Sequence, residues 1–417
     1  MTGAPAYARA GLRFPPCVVA VDELAPGPGA AALLRRLAGG AADAAAAADR
    51  RAAFLLALAD PARPFPAWCE RGVRPVAGGR AGDRLLQTSL AEVERRAGDD
   101  PLAEALHGAL RASLPAPAAL RRWRLRARTG GATTLTLDPA RPAVVGVLNV
   151  TPDSFSDGGR WIDVAAAVEH GESLVRAGAA LVDVGGESTR PGAERVSAAV
   201  QLERILPVIE RLVARIAVPI VVDTTSAAVA RAALAAGAAA VNDTSALADD
   251  PVLGQVVAES GAGLILMHRR GTPATMQDAP AYACCLAEVA EDLFAAATAA
   301  QRAGVAAEAV VLDPGIGFGK RLQDNLDLVG GLLALRSLGF PVMLGASRKS
   351  FLGTLTGRGA QERDAATLAT TAAACEAGCE LVRVHDVAGS VDVVRVLAAL
   401  RGRERDGSSA GAGASPP

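Results

Sequence analysis

The segment PIVVDTTSAAVARAALAAGAAAVN, residues 219–242, contains the unit from which most of this chain is built. Two short apolar runs, at residues 219–223 and 238–242, enclose an alanine-rich stretch that is compatible with a helix. Short apolar runs that alternate with helices are typical of a parallel β-sheet whose strands are buried on both faces. The segment therefore predicts one strand, one helix and a second strand parallel to the first.

The same unit recurs along the chain. Eight apolar runs occupy residues 144–149, 180–184, 219–223, 238–242, 263–267, 309–313, 341–344 and 380–384, and helix-compatible sequence separates nearly all of them. Eight strands alternating with helices predict an α/β fold, a (β/α)8 TIM barrel, with an open doubly wound sheet as the alternative. Two further runs, at residues 123–127 and 133–137, flank Gly130 and Gly131 and predict a short β-hairpin before the barrel.

The first 120 residues have a different character. Alanine-rich helical patterns at residues 29–60 and 83–113 are interrupted by prolines and by a glycine cluster at residues 78–82. We therefore expect a small, mainly helical N-terminal domain at residues 1–120. The barrel with its hairpin should occupy residues 121–401, and the Ser- and Gly-rich tail at 402–417 is expected to be disordered.

The charge balance argues against a nucleic-acid or membrane partner. The 417 residues carry a formal net charge of −1, whereas binding to polyanions depends on clustered positive charge. The arginines at 121, 122, 124, 126 and 128 alternate with apolar residues, as on a half-exposed strand. No run reaches the ~18 apolar residues of a spanning helix. Six scattered cysteines show no metal-binding spacing and fit reduced thiols, so we expect a cytoplasmic protein.

Polar residues end seven of the eight runs. In a TIM barrel the active site is built from the loops at the carboxyl ends of the strands. A single polar residue at such a position is most simply a helix cap, but seven together indicate a binding site. The residues in question are Asn149, Asp183 with Glu187, Asp223, Asn242 with Asp243, Asp313, residues 347–349, and Arg383 with His385.

Lysine is rare in this chain, and both lysines lie in such loops. Of 43 basic residues only Lys320 and Lys349 are lysines. A site shaped around a compact ammonium rejects the wider, planar guanidinium, so both positions are candidates for ligand contact. Lys320 ends the glycine-rich turn GIGFGK (residues 315–320), which lacks the spacing of a P-loop. For Lys320, a role in ordering the loop and a contact with substrate both remain open.

Seven motifs resemble, in order, those of the dihydropteroate synthase family. They are NVTPDSFSDGG (149–159), GGESTRPG (185–192), VND (241–243), MH (267–268), DPGIGFGK (313–320), SRKSF (347–351) and RVH (383–385). The resemblance covers roughly residues 122–400 and leaves the N-terminal region outside. It implies a transferase of folate biosynthesis that joins 6-hydroxymethyl-7,8-dihydropterin pyrophosphate to p-aminobenzoate and releases pyrophosphate. A non-catalytic or methyl-transfer pterin-binding barrel is the alternative.

The resemblance also implies a role for individual residues. Asp313 would accept hydrogen bonds from the guanidine-like edge of the pterin, and Asn242 would pair with neighbouring ring atoms. Asp223 would stabilise positive charge as the leaving group departs, Lys349 would meet the ring carbonyl and N5, and Met267 would line the pterin pocket. The residues expected to be catalytic are Asp223, Lys349, Arg383 and His385.

The remaining expectations concern the other two substrate groups and the partners. Pyrophosphate should be bound by Arg383, His385, Thr189 and Asn149, with Asn149 also a ligand of Mg2+, a cation that takes few protein oxygens. The expected p-aminobenzoate site consists of Phe155, Arg190, Pro191, Phe318 and Ser350. No covalent enzyme intermediate is expected, because the aromatic amine is already nucleophilic. The family resemblance further implies a homodimer formed through barrel helices.

Overall fold

Eight parallel strands form a barrel in the computed structural model, which describes residues 4–21, 33, 51–113, 120–151, 163–188 and 195–401. The strands are β7 (Ala143–Asn149), β8 (Leu181–Gly185), β9 (Ile220–Asp223), β10 (Ala240–Asp243), β11 (Gly263–Met267), β12 (Val310–Asp313), β13 (Met343–Leu344) and β14 (Leu381–Val384). They pair in the order β12-β11-β10-β9-β8-β7-β14-β13, and a parallel bridge between Leu312 and Val342 closes the ring. The predicted TIM barrel is confirmed, and the open-sheet alternative is wrong.

Helices follow the strands and cover the outside of the barrel. They are α4 (Val164–Arg176), α5 (Ala198–Arg215), α6 (Ala227–Ala235), α7 (Val252–Ser260), α8 (Cys285–Arg302), α9 (Leu322–Gly330), α10 (Leu332–Arg336), α11 (Ser350–Thr356), α12 (Asp364–Ala377) and α13 (Val387–Leu400). Several begin at a side-chain cap: Asp163, Ser197 and Asp386 accept backbone N–H groups of α4, α5 and α13. Such caps satisfy N–H groups that have no partner within the helix.

The hairpin that precedes the barrel closes its amino-terminal mouth. Its strands, β5 (Arg121–Arg126) and β6 (Ala132–Leu137), pair antiparallel. Trp123, Leu125 and Leu137 are fully buried and pack against the lowest layer of inward-facing barrel residues. The indole of Trp123 donates a hydrogen bond of 2.8 Å to the carbonyl of Ala309. The apolar half of each hairpin strand is therefore part of the barrel core.

The described residues of the N-terminal region form a β-sheet together with helices, so the expected mainly helical domain is not confirmed. A four-stranded antiparallel sheet runs in the order β1-β2-β4-β3, formed by β1 (Cys17–Val21), β2 (Arg51–Ala57), β3 (Val73–Pro75) and β4 (Asp83–Ser89). The helices within the described residues before the hairpin are α1 (Ala6–Arg9), α2 (Leu90–Arg96) and α3 (Pro101–Ser113). The predicted helix at 83–113 thus begins as a strand, and the end of the one predicted at 29–60 is also a strand.

Burial on both faces explains why residues 51–57 form a strand where the sequence predicts a helix. Ala53, Leu55 and Ala57 of β2 belong to the hydrophobic core of the barrel, whereas Phe54 and Leu56 pack in a second core with α3. A strand that is covered on both faces reads as a continuous apolar run, which sequence periodicity cannot distinguish from a buried helix. The tail at 402–417 and most of residues 22–50 lie outside the described part of the chain.

None of the helices in the described ranges combines the length and the apolar character needed to cross a membrane.

Candidate active site

The two-residue period of the strands places the polar residues in layers inside the barrel. Val221, Ile265 and Val311 belong to the lowest apolar layer, which packs on the hairpin. Successive side chains of a strand point to opposite faces, so the residue two positions further faces inward again. The layer above the apolar one therefore contains Asp183, Asp223, Asn242, Met267, Asp313 and Arg383. Four predicted pterin-site residues are thus brought together at the carboxyl-terminal mouth of the barrel.

Arg383 is held by two carboxylates from other strands. Its Nε donates to Oδ2 of Asp183, and its Nη2 donates to Oδ2 of Asp223 at 2.9 Å. Burial works to lower the pKa of Arg383, but the two carboxylates raise it above its ordinary value, so the guanidinium remains charged. Arg383, which is expected to bind pyrophosphate, is therefore positioned by aspartates on β8 and β9.

The pKa of Asp223 is raised, whereas the pKa of a carboxylate beside a cation is typically lowered. Burial and the neighbouring charge of Asp183 raise the pKa of Asp223, while Arg383 and Lys349 act to lower it. The net effect is a pKa above the ordinary range for aspartate. A carboxylate that is reluctant to ionise interacts strongly with a positive charge placed beside it, because little water competes for it.

Asn242 carries an acceptor that the described residues leave unused. Its Nδ2 donates to Oδ2 of Asp183 at 2.9 Å, and the residue is 2% exposed. Within the described ranges, Oδ1 of Asn242 and Oδ1 of Asp183 are buried without a hydrogen-bond partner. Buried polar atoms are rarely left unpaired, so both oxygens are available to a ligand with N–H donors.

Asp313 also keeps one oxygen accessible to a ligand. Its Oδ1 accepts the backbone N–H of Gly315 at 2.7 Å. A Cβ at Gly345, on the neighbouring strand-end loop, would lie 3.3 Å from the other oxygen, so the glycine leaves space beside it. Burial raises the pKa of Asp313 to about 6, and Gly315 and Lys349 oppose that rise. At neutral pH the carboxylate is ionised and can accept a second hydrogen bond.

Lys349 lies above an aromatic ring from another loop. Its Nζ is 4.0 Å from the ring centroid of Phe318, within the range of a cation–π interaction. Phe318 forms a small buried cluster with Met267 and Met276. A Cβ at Gly317 would come within 3.3 Å of Cδ of Lys349, which shows how closely the loop backbone approaches the lysine stem. The lysine and the apolar wall are therefore positioned by the loop that follows β12.

The residue before Lys349 has an unusual backbone conformation. Arg348 has φ = 57°, in the left-handed region that non-glycine residues rarely adopt. Its guanidinium makes two hydrogen bonds to Asp364, of 2.7 and 2.9 Å, on helix α12. Backbone strain of this kind persists where surrounding contacts hold it, and it is common in active-site turns.

His385 is paired with Ser347, which follows the neighbouring strand β13. Its Nδ1 lies 2.9 Å from the hydroxyl of Ser347, which also accepts the backbone N–H of His385 at 3.2 Å. Burial, followed by the charges of Arg383, Arg348 and Lys349, lowers the pKa of His385 to about 3. Without an anion beside it the imidazole is neutral at pH 7 and serves as a hydrogen-bonding group.

Lys320 is buried and connects the loops that follow β11 and β12. It is 3% exposed, and its Nζ donates to the carbonyls of Phe318 and His268 at 3.1 and 3.3 Å. It also lies 3.0 Å from Nδ1 of His268, whose Nε2 is 3.2 Å from Asp292. Burial and Lys320 lower the pKa of His268 to about 4, so the imidazole is neutral and can accept from the ammonium. The structure supports the loop-ordering alternative for Lys320.

Asn149 lies at the end of β7, close to Asp223. A Cβ at Gly185 would be 3.6 Å from Oδ1 of Asn149 and 3.4 Å from Cβ of Asp223, so the glycine keeps this corner open. In the described part of the chain no group of three or more His, Cys, Asp or Glu side chains could enclose a metal ion. The oxygens here fit a hard cation that takes most of its ligands from water and phosphate.

Several predicted site residues cannot be placed. Phe155, Thr189, Arg190 and Pro191 lie outside the described residues. Ser350 is the first residue of α11, as the sequence predicted, and it is exposed. Nothing in the described geometry brings it into contact with the inward layer.

Asp183 and Ser347 are the site residues whose roles the sequence did not reveal. Both are polar residues near predicted strand ends, and the sequence gives neither a specific role. Asp183 is 1% exposed and accepts from both Arg383 and Asn242. The period-two alternation along β8 was the available indication, because it places Asp183 two residues beyond the inward-facing Leu181.

Comparisons with known proteins agree with this geometry. A family model described as pterin binding enzyme matches residues 145–385. The dihydropteroate synthase of Escherichia coli strain K12 is 42% identical over 264 residues, which are 63% of this chain and 93% of that protein. The chain belongs to the dihydropteroate synthase family of pterin-binding enzymes.

Solved structures show the same likeness. A structure of Xanthomonas albilineans dihydropteroate synthase with 4-aminobenzoic acid superposes with a TM-score of 0.61 at 45% identity, covering 67% of this chain and 98% of that one. The enzyme from the same organism in complex with 7,8-dihydropteroate gives a TM-score of 0.59 at 42% identity, with the same coverage. The family match begins at residue 145, so the N-terminal sheet precedes it.

Proposed function

We propose that the layer of inward-facing side chains above the apolar layer, at the carboxyl-terminal mouth of the barrel, is the reaction site of this family member. The protein is a transferase of folate biosynthesis, a dihydropteroate synthase, which joins the dihydropterinylmethyl group to p-aminobenzoate and releases pyrophosphate. The observation that carries the assignment of the site is the unpaired, buried Oδ1 of Asn242, which lies in one layer with Asp223, Asp313 and Arg383.

The pterin ring is proposed to lie against this layer. Asp313 accepts from the adjacent donors on the guanidine-like edge of the ring, since one of its oxygens remains open beside Gly345. Asn242 accepts a ring N–H with Oδ1. Lys349 donates to the ring carbonyl and N5 side, and Met267 contributes apolar contact. Each of these groups is supported by barrel packing, so little ordering accompanies binding.

Pyrophosphate is proposed to bind beside Arg383 and His385. The Arg383 guanidinium is already oriented by Asp183 and Asp223, and it is partly exposed at the barrel mouth. A phosphate anion would favour the protonated form of His385, whose pKa of about 3 reflects burial and adjacent cations. Asn149 would hold a Mg2+ ion through Oδ1, and such an ion neutralises charge on the leaving group.

The second substrate is proposed to lie on the wall formed by Phe318. Its aromatic amine attacks the methylene carbon, and the bond between that carbon and the pyrophosphate oxygen breaks. The proton released from the amine leaves with pyrophosphate or water. Asp223 stabilises positive charge that develops on the pterinylmethyl group, and Arg383 stabilises negative charge on the departing oxygen. Ser350 at the start of α11 is proposed to meet the carboxylate, together with the loop residues Phe155, Arg190 and Pro191.

Turnover of purified protein tests this function. The protein is mixed with Mg2+, 6-hydroxymethyl-7,8-dihydropterin pyrophosphate and p-aminobenzoate, and dihydropteroate and pyrophosphate are measured. We expect equal amounts of the two products. Folded protein that binds the pterin but forms neither product would contradict the synthase function and favour a pterin-binding protein. Asn242→Ala, which removes the unpaired acceptor, should weaken pterin binding about 10-fold or more.

We also propose a cytoplasmic homodimer. All six cysteines are buried and unpaired, which suits a reducing compartment. Leu355 on α11 and Val396 and Leu400 on α13 are more than half exposed, which suits a subunit contact through these helices. Sedimentation of the wild type and of Val396→Glu tests the contact, because a charge at its centre should shift a dimer towards monomer.

A further inference from the structure

The N-terminal region, which precedes the family match, is anchored to helix α8 by two arginines. Arg13 donates to both carboxylate oxygens of Glu291, at 2.9 and 2.7 Å. Arg80, in the loop between β3 and β4, reaches the same helix. It donates to Glu291 at 2.8 Å and forms an ion pair of 3.1 Å with Glu288. Arg80 thus contacts two carboxylates of α8, those of Glu288 and Glu291.

Glu288 connects Arg80 to the loop that follows β11. The residue is 5% exposed, and its Oε1 accepts the backbone N–H groups of Ala283 and Cys284 at 2.7 and 3.2 Å. Its Oε2 accepts from Arg270 at 3.0 Å, and the same oxygen pairs with Arg80. One buried carboxylate oxygen is therefore shared by a cation of the N-terminal region and a cation of a barrel loop.

Arg270 in turn supports the loop that follows β12. Its guanidinium lies 4.0 Å from the ring centroid of Tyr282, and the phenol of Tyr282 donates to the carbonyl of Gly319 at 2.9 Å. Gly319 also packs directly on the backbone of Arg270, since a Cβ there would lie 2.4 Å from the Arg270 carbonyl oxygen. The position of Arg270 therefore determines where the backbone near Gly319 can lie.

The supported loop carries the aromatic wall of the site. Phe318 directly precedes Gly319, is 5% exposed, and lies beneath Nζ of Lys349. A displacement of the loop by a few tenths of an ångström would change the contact surface for an aromatic substrate. Positioning groups of this kind change binding and rate without touching the substrate themselves.

We propose that Arg80 is a positioning residue for the synthase reaction, acting through Glu288, Arg270 and Tyr282 on the loop that carries Phe318. The N-terminal region thereby completes the support of the p-aminobenzoate wall from outside the barrel. This inference depends on the proposed function of the same site. It predicts that the loss of Arg80 raises KM for p-aminobenzoate more than it changes kcat.

The test compares single-residue variants of the full-length protein in the turnover assay. Arg80→Ala should raise KM for p-aminobenzoate about 3- to 20-fold and change kcat by less than about twofold, the size expected for coupling through packed side chains. Arg80→Lys keeps the charge near Glu288 and should recover much of the loss. The matched control is Arg84→Ala, because the acceptors of Arg84 among the described residues are the carbonyls of Ala81, Asp83 and Pro61, which all lie in the N-terminal region.

A double-mutant cycle decides whether the effect travels by this route. Tyr282→Phe removes the donor to Gly319 while keeping the ring, and it should also raise KM for p-aminobenzoate. If Arg80 acts through Tyr282, the double variant is affected less than the product of the two single effects. Fully multiplicative effects, or an unchanged KM in folded Arg80→Ala, overturn the proposal. Absence of product from the wild type would instead overturn the synthase function, so the two failures are distinguishable.

Discussion

Replacing Asp183 by asparagine tests the carboxylate that two site residues share. The side chain is 1% exposed and accepts from Nε of Arg383 and Nδ2 of Asn242. Asparagine has nearly the same shape as aspartate. Both donors bond to Oδ2 of Asp183, so the carbonyl oxygen of an asparagine in that position can still accept both hydrogen bonds, but it carries no charge. The substitution therefore removes a buried charge pair while leaving the packing almost unchanged.

The expected loss of stability follows from these two contacts. A hydrogen bond to a charged group contributes about 1.5–3 kcal/mol, and breaking a buried ion pair costs about 3–5 kcal/mol when the remaining charge has no other partner. Here Arg383 keeps Asp223 at 2.9 Å, so the cost should lie at the lower end. We expect the free energy of unfolding to fall by about 2–3 kcal/mol, measured by denaturant titration. Asp392→Asn, at an exposed pair on α13, should change it by less than about 0.5 kcal/mol.

The pH dependence of activity gives a second readout with a defined sign. The Asp183 charge is one of the causes that raise the pKa of Asp223, after burial. Removing that charge lowers the pKa of Asp223, so the ionised carboxylate persists to lower pH. If ionised Asp223 is required, the acidic limb of kcat/KM against pH shifts to lower pH in Asp183→Asn, although the maximum falls. An acidic limb that stays in place or moves to higher pH would refute this reasoning.

Substitutions at three further positions test the loops around the barrel mouth. Lys349→Arg should lower kcat/KM about 100-fold or more with little change in unfolding, because the wider guanidinium does not fit a place shaped for an ammonium; near-wild-type turnover would make the lysine incidental. Arg348→Gly and Arg348→Ala both lose the side-chain contacts, but only alanine keeps the strained backbone at φ = 57°, so the glycine variant should be more stable by about 1 kcal/mol in thermal unfolding. Equal stability of these two variants would show that the turn carries no strain. Gly315→Ala places a Cβ 1.9 Å from the His268 carbonyl oxygen and should cost about 2 kcal/mol more than Gly130→Ala, where a positive φ occurs without nearby atoms. Similar losses at both glycines would mean that the loop backbones separate easily.

The barrel and the order of its site residues could be predicted from local patterns. Each strand is a short apolar run, and each polar residue follows it at a position that the two-residue period directs inward. Parallel strands place their carboxyl ends at the same mouth of the barrel, so the sequence alone predicts that Asp223, Asn242 and Asp313 lie close together. Lys349 could be recognised from its residue type, because lysine is rare in a chain whose other basic residues are almost all arginine.

The N-terminal sheet could not be predicted for a physical reason. Leu55 and Phe54 point to opposite faces of β2 and pack in two different cores. Because both faces are apolar, the sequence shows no two-residue period that would predict a strand. Whether such a run becomes a strand or a helix depends on the partner that covers its second face. That partner here is the helical layer of a barrel whose sequence begins more than 60 residues later.

The sequence by itself determined the barrel, its hairpin and the set of polar groups at its mouth, because periodicity and strand polarity are local properties. Tertiary structure alone decided how those groups are paired. Asp183 is the common acceptor of Arg383 and Asn242, and Lys320 is bound to His268 and to the carbonyl of Phe318. Hydrogen-bond partners and pKa shifts depend on burial and on distances between residues far apart in the chain, and these exist only once the barrel has closed.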